Sequence, residues 1–189
     1  FTEDRIDVLA DLVRGHPFAT LVSLGADGLI ATHLPLLWDA DREPYGTLRG
    51  HFARPNPHAR ITTSPVDALA IFSGPNAYVS PSWYPSKQEH GKVVPTWNYA
   101  AVHAYGPLRL IDDVEWLRAL ITRLTERDEA TFPNLWRPTD APEAFLDALL
   151  HGIVGVEIEI TRLEGKWKLG QNRPEADQDG VIDGLMARG

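Results

Sequence analysis

The sequence of 189 residues contains no cysteine. That absence removes disulfide bonds, thiolate catalysis, iron–sulfur clusters and cysteine-ligated zinc in one step. It suits a reducing compartment, and a cytoplasmic location is the expectation. No apolar run approaches the roughly 18 residues needed to cross a bilayer, so no membrane partner is expected. No secretory signal pattern is visible, and because the chain opens at Phe1 rather than at a methionine, a few residues are expected to precede it. Basic charge is also scarce: 18 Lys and Arg face 26 Asp and Glu, for a formal net charge of −8. Proteins that grip nucleic acid unaided carry a basic stripe, because neutralising phosphates supplies most of the affinity. None is evident, so the isolated chain is expected to bind duplex DNA only weakly. The acidic stretches Asp112–Glu115 and Glu126–Glu129 fall in helix-like segments and read as solvated faces.

Several signatures are missing as well. There is no GxGxxG, GxxxxGK[ST], HExxH or GxSxG pattern, which weighs against dinucleotide-fold, P-loop, zinc-protease and serine-hydrolase readings. The seven histidines show no metal-ligand spacing, so no metal site is expected; His33 and His51 lie in strand-like segments that could converge on a site, but they read first as hydrogen-bonded histidines at a sheet surface. No side chain stands out as a general acid or base.

What is present is an ordinary soluble composition, 43% hydrophobic and 23% charged, in a length that suits one domain spanning 1–189. Periodicity predicts a helix over Thr2–Arg14, stopped by Gly15, and a hairpin of strands Pro17–Leu24 and Leu29–Trp38 across Ala26-Asp27-Gly28. A third strand over Thr47–Ala53, a short helical turn at His58–Thr62 and a fourth strand over Ala68–Ser73 follow. Gly74-Pro75-Asn76 reads as a turn into the stretch Ala77–Tyr105, and Gly106-Pro107 as a bend after it, with a short strand over Leu108–Ile111 beyond. Val114–Arg127 is the clearest amphipathic helix, Ala141–Leu150 a second, Ile153–Leu163 a strand with one wet face, and Pro174–Arg188 a weaker last helix. Seven or eight short strands in hairpin-like succession predict an antiparallel, mainly β (α+β) barrel with peripheral helices, not a doubly wound sheet.

The stretch Ala77–Tyr105 holds the most chemistry. Hydroxyls and one lysine (Ser80, Ser82, Ser86, Lys87) suit a phosphate monoester, and aromatic rings beside an amide (Trp83, Tyr84, Trp97, Asn98) suit a flat heteroaromatic ring. Together they suggest a nucleotide-type cofactor. Three further polar clusters stand at strand ends, where barrel mouths bind ligands: Thr32–Leu36, Gly50–Pro57 and Gly165–Arg173.

In order along the chain, PFATLVS, ATHLPLL, LRGHFARPNP, IFSGPNAYVSPSWYPSK, VVPTWNYAAVHAYGPLR, IVGVEIEITRLEGKWKLGQNR and the D-x-x-G of Asp177–Gly180 resemble the PaiB-type family of FMN-binding negative transcriptional regulators. One departure is Gly170, where serine is expected. The resemblance implies a split β-barrel of the FMN-binding type, related to pyridoxamine-phosphate oxidases and flavin reductases, and a homodimer with FMN between subunits. On that reading the phosphate meets Lys87, Ser80 and Ser82, with Arg54 a further candidate. The ring lies near Trp83, Tyr84 or Trp97, and Thr96, Asn98, His51 and Gln171 serve ring carbonyls and nitrogens. Lys168, Asn172 and Arg173 complete the expected cofactor-binding set. Three functions compete: a flavin-binding regulator, an FMN-dependent oxidoreductase using NAD(P)H, and a cofactor-free interaction module.

Overall fold

The computed structural model describes residues 1–61 and 65–188. In chain order its elements are β1 (Thr2–Glu3), α1 (Ile6–Gly15), β2 (Phe18–Gly25), β3 (Gly28–Pro35), β4 (Leu37–Asp39), β5 (Thr47–Ala53), β6 (Val66–Val79), α2 (Ser86–His90), β7 (Thr96–Ile111), α3 (Val114–Glu129), α4 (Glu143–Leu150), β8 (Ile153–Glu159), β9 (Arg162–Lys168) and α5 (Glu175–Met186). Single 3-10 turns sit at Pro57–Arg60, Pro81–Trp83 and Pro138–Asp140. The architecture is mainly β and antiparallel, as the hairpin-like succession predicts.

The chain groups into two compact units: Phe1–Gly15, Ser73–Val102 and Glu164–Gly189 form the first, and His16–Phe72 with His103–Leu163 the second. The long strands β6 and β7 contribute to both.

In the second unit the strand order is β3-β2-β6-β7-β8-β5-β4. The β2–β3 hairpin closes through the register Gly25↔Gly28, leaving Ala26 and Asp27 as the two-residue turn. Leu21, Leu34, Leu36, Leu48, Phe52, Phe72, Leu108 and Ile158 are almost fully buried and form the core. The helix α3 starts at the Asp113 cap, whose carboxylate accepts from the Trp116 amide at 2.8 Å. It buries Leu117, Leu120 and Leu124, the stripe that the 3.6-residue period predicts.

In the first unit β9 pairs with β1 and β7. Helix α1 buries Leu9, Ala10, Leu12 and Val13. A smaller cluster of Val79, Tyr84 and Val181 gathers Trp83, Val93 and Leu185 around it.

Several expectations are corrected. The first helix begins at Ile6, because Thr2 and Glu3 pair instead with Lys166 and Gly165. Gly74-Pro75-Asn76 is not a turn: β6 runs through it, since the missing Cβ of Gly74 leaves room for Leu12, which a Cβ would meet at 2.8 Å. Gly106-Pro107 is likewise inside β7, where a Cβ on Gly106 would sit 1.9 Å from the Glu159 carbonyl oxygen. The turn expected at His58–Thr62 is found at Pro57–Arg60; Thr62 lies outside the described residues. The two expected strands Leu29–Trp38 and Ile153–Leu163 each divide in two; with the longer β6 and β7 and the added β1, the described residues hold nine strands.

Candidate functional site

Alternation along β7 sorts the VPTWNY motif by face. Asn98 is buried, at 9% exposure, whereas Trp97 is 55% exposed and meets Tyr78 edge to face at 6.1 Å between ring centroids. The Lys168 ammonium, on β9, donates to the Trp97 carbonyl at 2.6 Å and to the Thr96 hydroxyl. The chain then turns at Gly170, whose φ of 79° is strained for any residue with a Cβ. This explains the departure noted at that position: here the residue serves the turn. Gln171 folds back, its Oε1 accepting from the Leu169 amide at 2.9 Å. Asn172 is exposed. Arg173 lays its guanidinium over the Tyr84 ring, 4.6 Å from the centroid.

These residues border a cavity of about 280 Å³ within the first unit, lined by Tyr84, Asn98, Gly170, Arg173 and the apolar face of α5 (Val181, Ile182, Leu185). Asp177 lines it too, but its carboxylate is buried and spoken for, accepting from the Ser86 amide at 3.1 Å and the Ser86 hydroxyl at 2.7 Å. Among the described residues the side chains of Asn98 and Arg173 have no hydrogen-bonding or ion-pair partner. The Asn98 carboxamide is thus held at the cavity wall with its donor and acceptor groups unused by the protein. A ligand in the cavity can supply those bonds.

The SPSWY motif divides between two roles. Ser80 caps the 3-10 turn at Pro81–Trp83, accepting from the Ser82 amide at 3.2 Å, and its hydroxyl shares a 2.7 Å hydrogen bond with that of Ser82. Trp83 is a packing residue rather than an open stacking surface: α5 crosses it at two glycines, and a Cβ on Gly180 would lie 2.1 Å from the Trp83 carbonyl oxygen, one on Gly184 2.3 Å from the indole. The D-x-x-G motif is therefore the seat of α5, with Asp177 fixed to Ser86 and Gly180 fitted to Trp83. Sequence reasoning quoted this motif but missed α5 as a cavity wall. The signal available was that Val181, Ile182 and Leu185 recur at helical spacing just after it. Lys87, on α2, is exposed and without a carboxylate partner among the described residues.

The remaining expected residues, His51 and Arg54, belong to the second unit. Arg54 is already engaged, donating to both oxygens of Asp112 at 2.9 and 2.7 Å and to the carbonyls of His151 and Ile153. His51, on β5, keeps a buried Nδ1 with no partner, and burial holds its pKa below the usual histidine value. No cluster of three or more metal-ligating side chains occurs among the described residues.

An antiparallel fold with a cavity lined by an unpartnered carboxamide, a free guanidinium and apolar side chains fits a flavin-binding protein. Comparison bears this out. Residues 1–162 match the family model described as "Putative FMN-binding domain". The chain is 37% identical over 187 residues to the protease synthase and sporulation protein PAI 2 of Bacillus subtilis, covering 98% of this chain and 86% of that protein. Among solved structures, the FAD and heme binding protein from Mycobacterium smegmatis aligns with a TM-score of 0.62 at 14% identity, covering 100% of this chain and 80% of the other. The flavocytochrome Anf3 from Azotobacter vinelandii aligns with a TM-score of 0.63 at 12% identity, covering 93% and 73%. At such identities the structural likeness speaks for the split-barrel fold alone. The chain belongs to the PaiB-type FMN-binding domain family, whose cofactor is FMN.

Proposed function

We propose that the protein binds FMN at the first unit's cavity and acts as a PaiB-type regulator whose output follows the occupancy or redox state of the flavin. The observation that carries the reading is the Asn98 carboxamide, without a protein partner at the wall of a cavity it shares with the unpaired Arg173 guanidinium. Bound FMN supplies reversible electron transfer, with the protein providing orientation and electrostatics. Tyr84 and the apolar residues of α5 exclude water from the ring. The exposed Lys87, with Ser80 and Ser82, meets the phosphate, a charge-assisted contact that riboflavin cannot make. Lys168 fixes the backbone of Trp97, which positions Asn98 next to it.

A homodimer is part of the proposal. In the second unit Phe18, Leu24 and Leu29 on the β2–β3 hairpin are 65%, 62% and 80% exposed; in the first, Trp97 and Leu169 are exposed. Apolar surface of this kind is enriched at interfaces. Light scattering that reports a stable monomer in the presence of FMN overturns this part. The net charge of −8 argues that any action on DNA passes through a partner or a metabolite, in the cytoplasm.

The test is a visible spectrum and fluorescence titration with FMN and riboflavin, on the wild type and on Lys87→Ala. A flavin spectrum is expected on addition of FMN, and Lys87→Ala should weaken FMN binding about tenfold while leaving riboflavin binding nearly unchanged. Protein that stays colourless with added FMN favours the interaction-module reading; sustained turnover of NAD(P)H by the flavin-loaded protein favours the oxidoreductase.

A further inference from the structure

Resting on the reading that the chain binds FMN, we propose that Asn98 and Arg173 recognise the imide edge of the flavin ring, so that the first unit's cavity is a reader of the pyrimidine end and not of the phosphate.

The argument starts from what Asn98 lacks. Its carboxamide carries both a donor NH2 group and an acceptor oxygen, and both are without a partner in a residue 9% exposed. A phosphate offers acceptors only and would leave the carbonyl oxygen unsatisfied. The imide edge of an isoalloxazine presents a carbonyl, an N–H and a second carbonyl in one plane. A primary amide pairs with that edge donor to acceptor and acceptor to donor, so both halves of Asn98 are satisfied at once.

Arg173 fits the same ligand. Stacked over Tyr84, its guanidinium spends its face on the ring and keeps the in-plane N–H groups for other partners. A planar donor fork suits a ring carbonyl lying in its plane.

The surroundings weigh against the phosphate. Leu169, Val181, Ile182 and Leu185 supply an apolar lining that would strip water from a dianion without replacing it. The buried Asp177 carboxylate borders the same space, and it would repel a second anion. The cavity, at about 280 Å³, lies just below the roughly 300–1,000 Å³ of sites that enclose drug-sized ligands, which suits one end of FMN and not the whole molecule.

The test compares FMN, riboflavin and N3-methyl-FMN by fluorescence titration. The wild type should bind N3-methyl-FMN about tenfold or more weakly than FMN, because the methyl group removes the imide N–H and leaves the Asn98 oxygen buried and unpaired. Asn98→Ala should weaken FMN and riboflavin by the same factor, about tenfold, and erase the discrimination against the N3-methyl compound. Arg173→Gln, on a surface loop and independent of any folding defect at Asn98, should weaken both flavins equally. N3-methyl-FMN bound as tightly as FMN by the wild type overturns the inference, as does either variant losing FMN while keeping riboflavin, since that pattern assigns the cavity to the phosphate. A wild type that takes up no flavin at all fails at the earlier step and removes the FMN reading together with this one.

Discussion

In the second unit a group of arginines closes on shared carboxylates, although Arg162 also lies over the Tyr105 ring at 3.5 Å; in the first, the arginine that lines the cavity, Arg173, lies on an aromatic ring. Glu157, buried to 7% exposure on β8, accepts from Arg49 at 2.9 Å and from Arg109 at 3.0 Å. Arg49 also bridges to Asp39 at 2.5 Å and Asp41 at 2.6 Å, and Asp39 accepts in turn from Arg123 at 3.0 Å. Burial alone would lower the pKa of Arg49, but Asp41, Asp39 and Glu157 together hold it above the usual value. By contrast Arg173 covers Tyr84 and Arg188 lies 5.9 Å from the Trp83 ring centroid. Ion pairs in the first unit, Arg5 with Glu3 and Arg14 with Asp11, are at its surface. The contrast separates two uses of charge. A network closed on itself fixes strand register and has nothing left for a ligand. A cation that spends only its face on a ring keeps its donors for something else.

The largest expected effect breaks the closed network. Glu157→Ala leaves Arg49 and Arg109 facing a gap where a buried carboxylate stood. Removing one member of a buried ion pair costs about 3–5 kcal/mol. A loss near 3 kcal/mol is expected, because Arg109 is half exposed and water reaches it. Urea denaturation measures it, and a change below about 1 kcal/mol would mean that the network is decoration.

The next effect sharpens the other side of the comparison. Gly184→Ala pushes a methyl group to within 2.3 Å of the Trp83 indole, so α5 must move off its seat. Overpacking of this kind costs about 1–3 kcal/mol. Because α5 walls the cavity, flavin affinity in the folded variant should fall with stability, whereas Glu157→Ala carries no such expectation. An alanine variant with unchanged stability and unchanged affinity for FMN would show that α5 does not rest on Trp83 as described.

Much of this was legible in the sequence. Hairpin succession gave the antiparallel class, and the helical stripe of α3 appeared where the period placed it. Asn98 and Trp97 could be named as candidate site residues, yet only the strand's phase tells which is buried. The misreadings share a cause. Gly-Pro pairs are turn signals locally, but at Gly74 and Gly106 the glycine is there to admit a neighbour, Leu12 in one case and the Glu159 carbonyl in the other. Those neighbours are 62 and 53 residues away in sequence, and local propensity holds no record of them. The same applies to Arg54, whose partner Asp112 comes from another segment and whose availability for a phosphate could not be judged beforehand.

The smallest effect concerns a buried polar group of the second unit that the comparison must accommodate. His58 is fully buried and stacked on Phe52, with ring centroids 5.2 Å apart. Its Nδ1 lies 2.7 Å from the Thr32 hydroxyl, which donates its own hydrogen to Asn56 Oδ1 at 3.1 Å. Asn56 Oδ1 also accepts from the His58 amide at 2.9 Å, which fixes it as the oxygen. The Thr32 oxygen therefore accepts, Nδ1 carries the ring hydrogen, and Nε2 is bare, buried and without a partner. While the ring stays neutral, the cost is that of one unpaired acceptor. Acid changes that, because the proton would go to Nε2, where no acceptor waits. Burial holds the folded pKa below the ordinary 6.5. The unfolded chain then binds more protons than the folded one between those two values, so stability is full above about pH 6.5 and is lost as pH falls through that value towards the folded pKa. The loss cannot exceed about 1.4 kcal/mol per pH unit for one site. Denaturation curves from pH 7.5 down to 5 should show this slope in the wild type, with His51 adding to it through its own lowered pKa. His58→Gln should be less stable at pH 7.5 and should lose stability less steeply, by up to one proton's worth. An unchanged slope would mean that His58 is already solvated in the folded state, and its bare nitrogen would then belong with Asn98 among groups that await a partner.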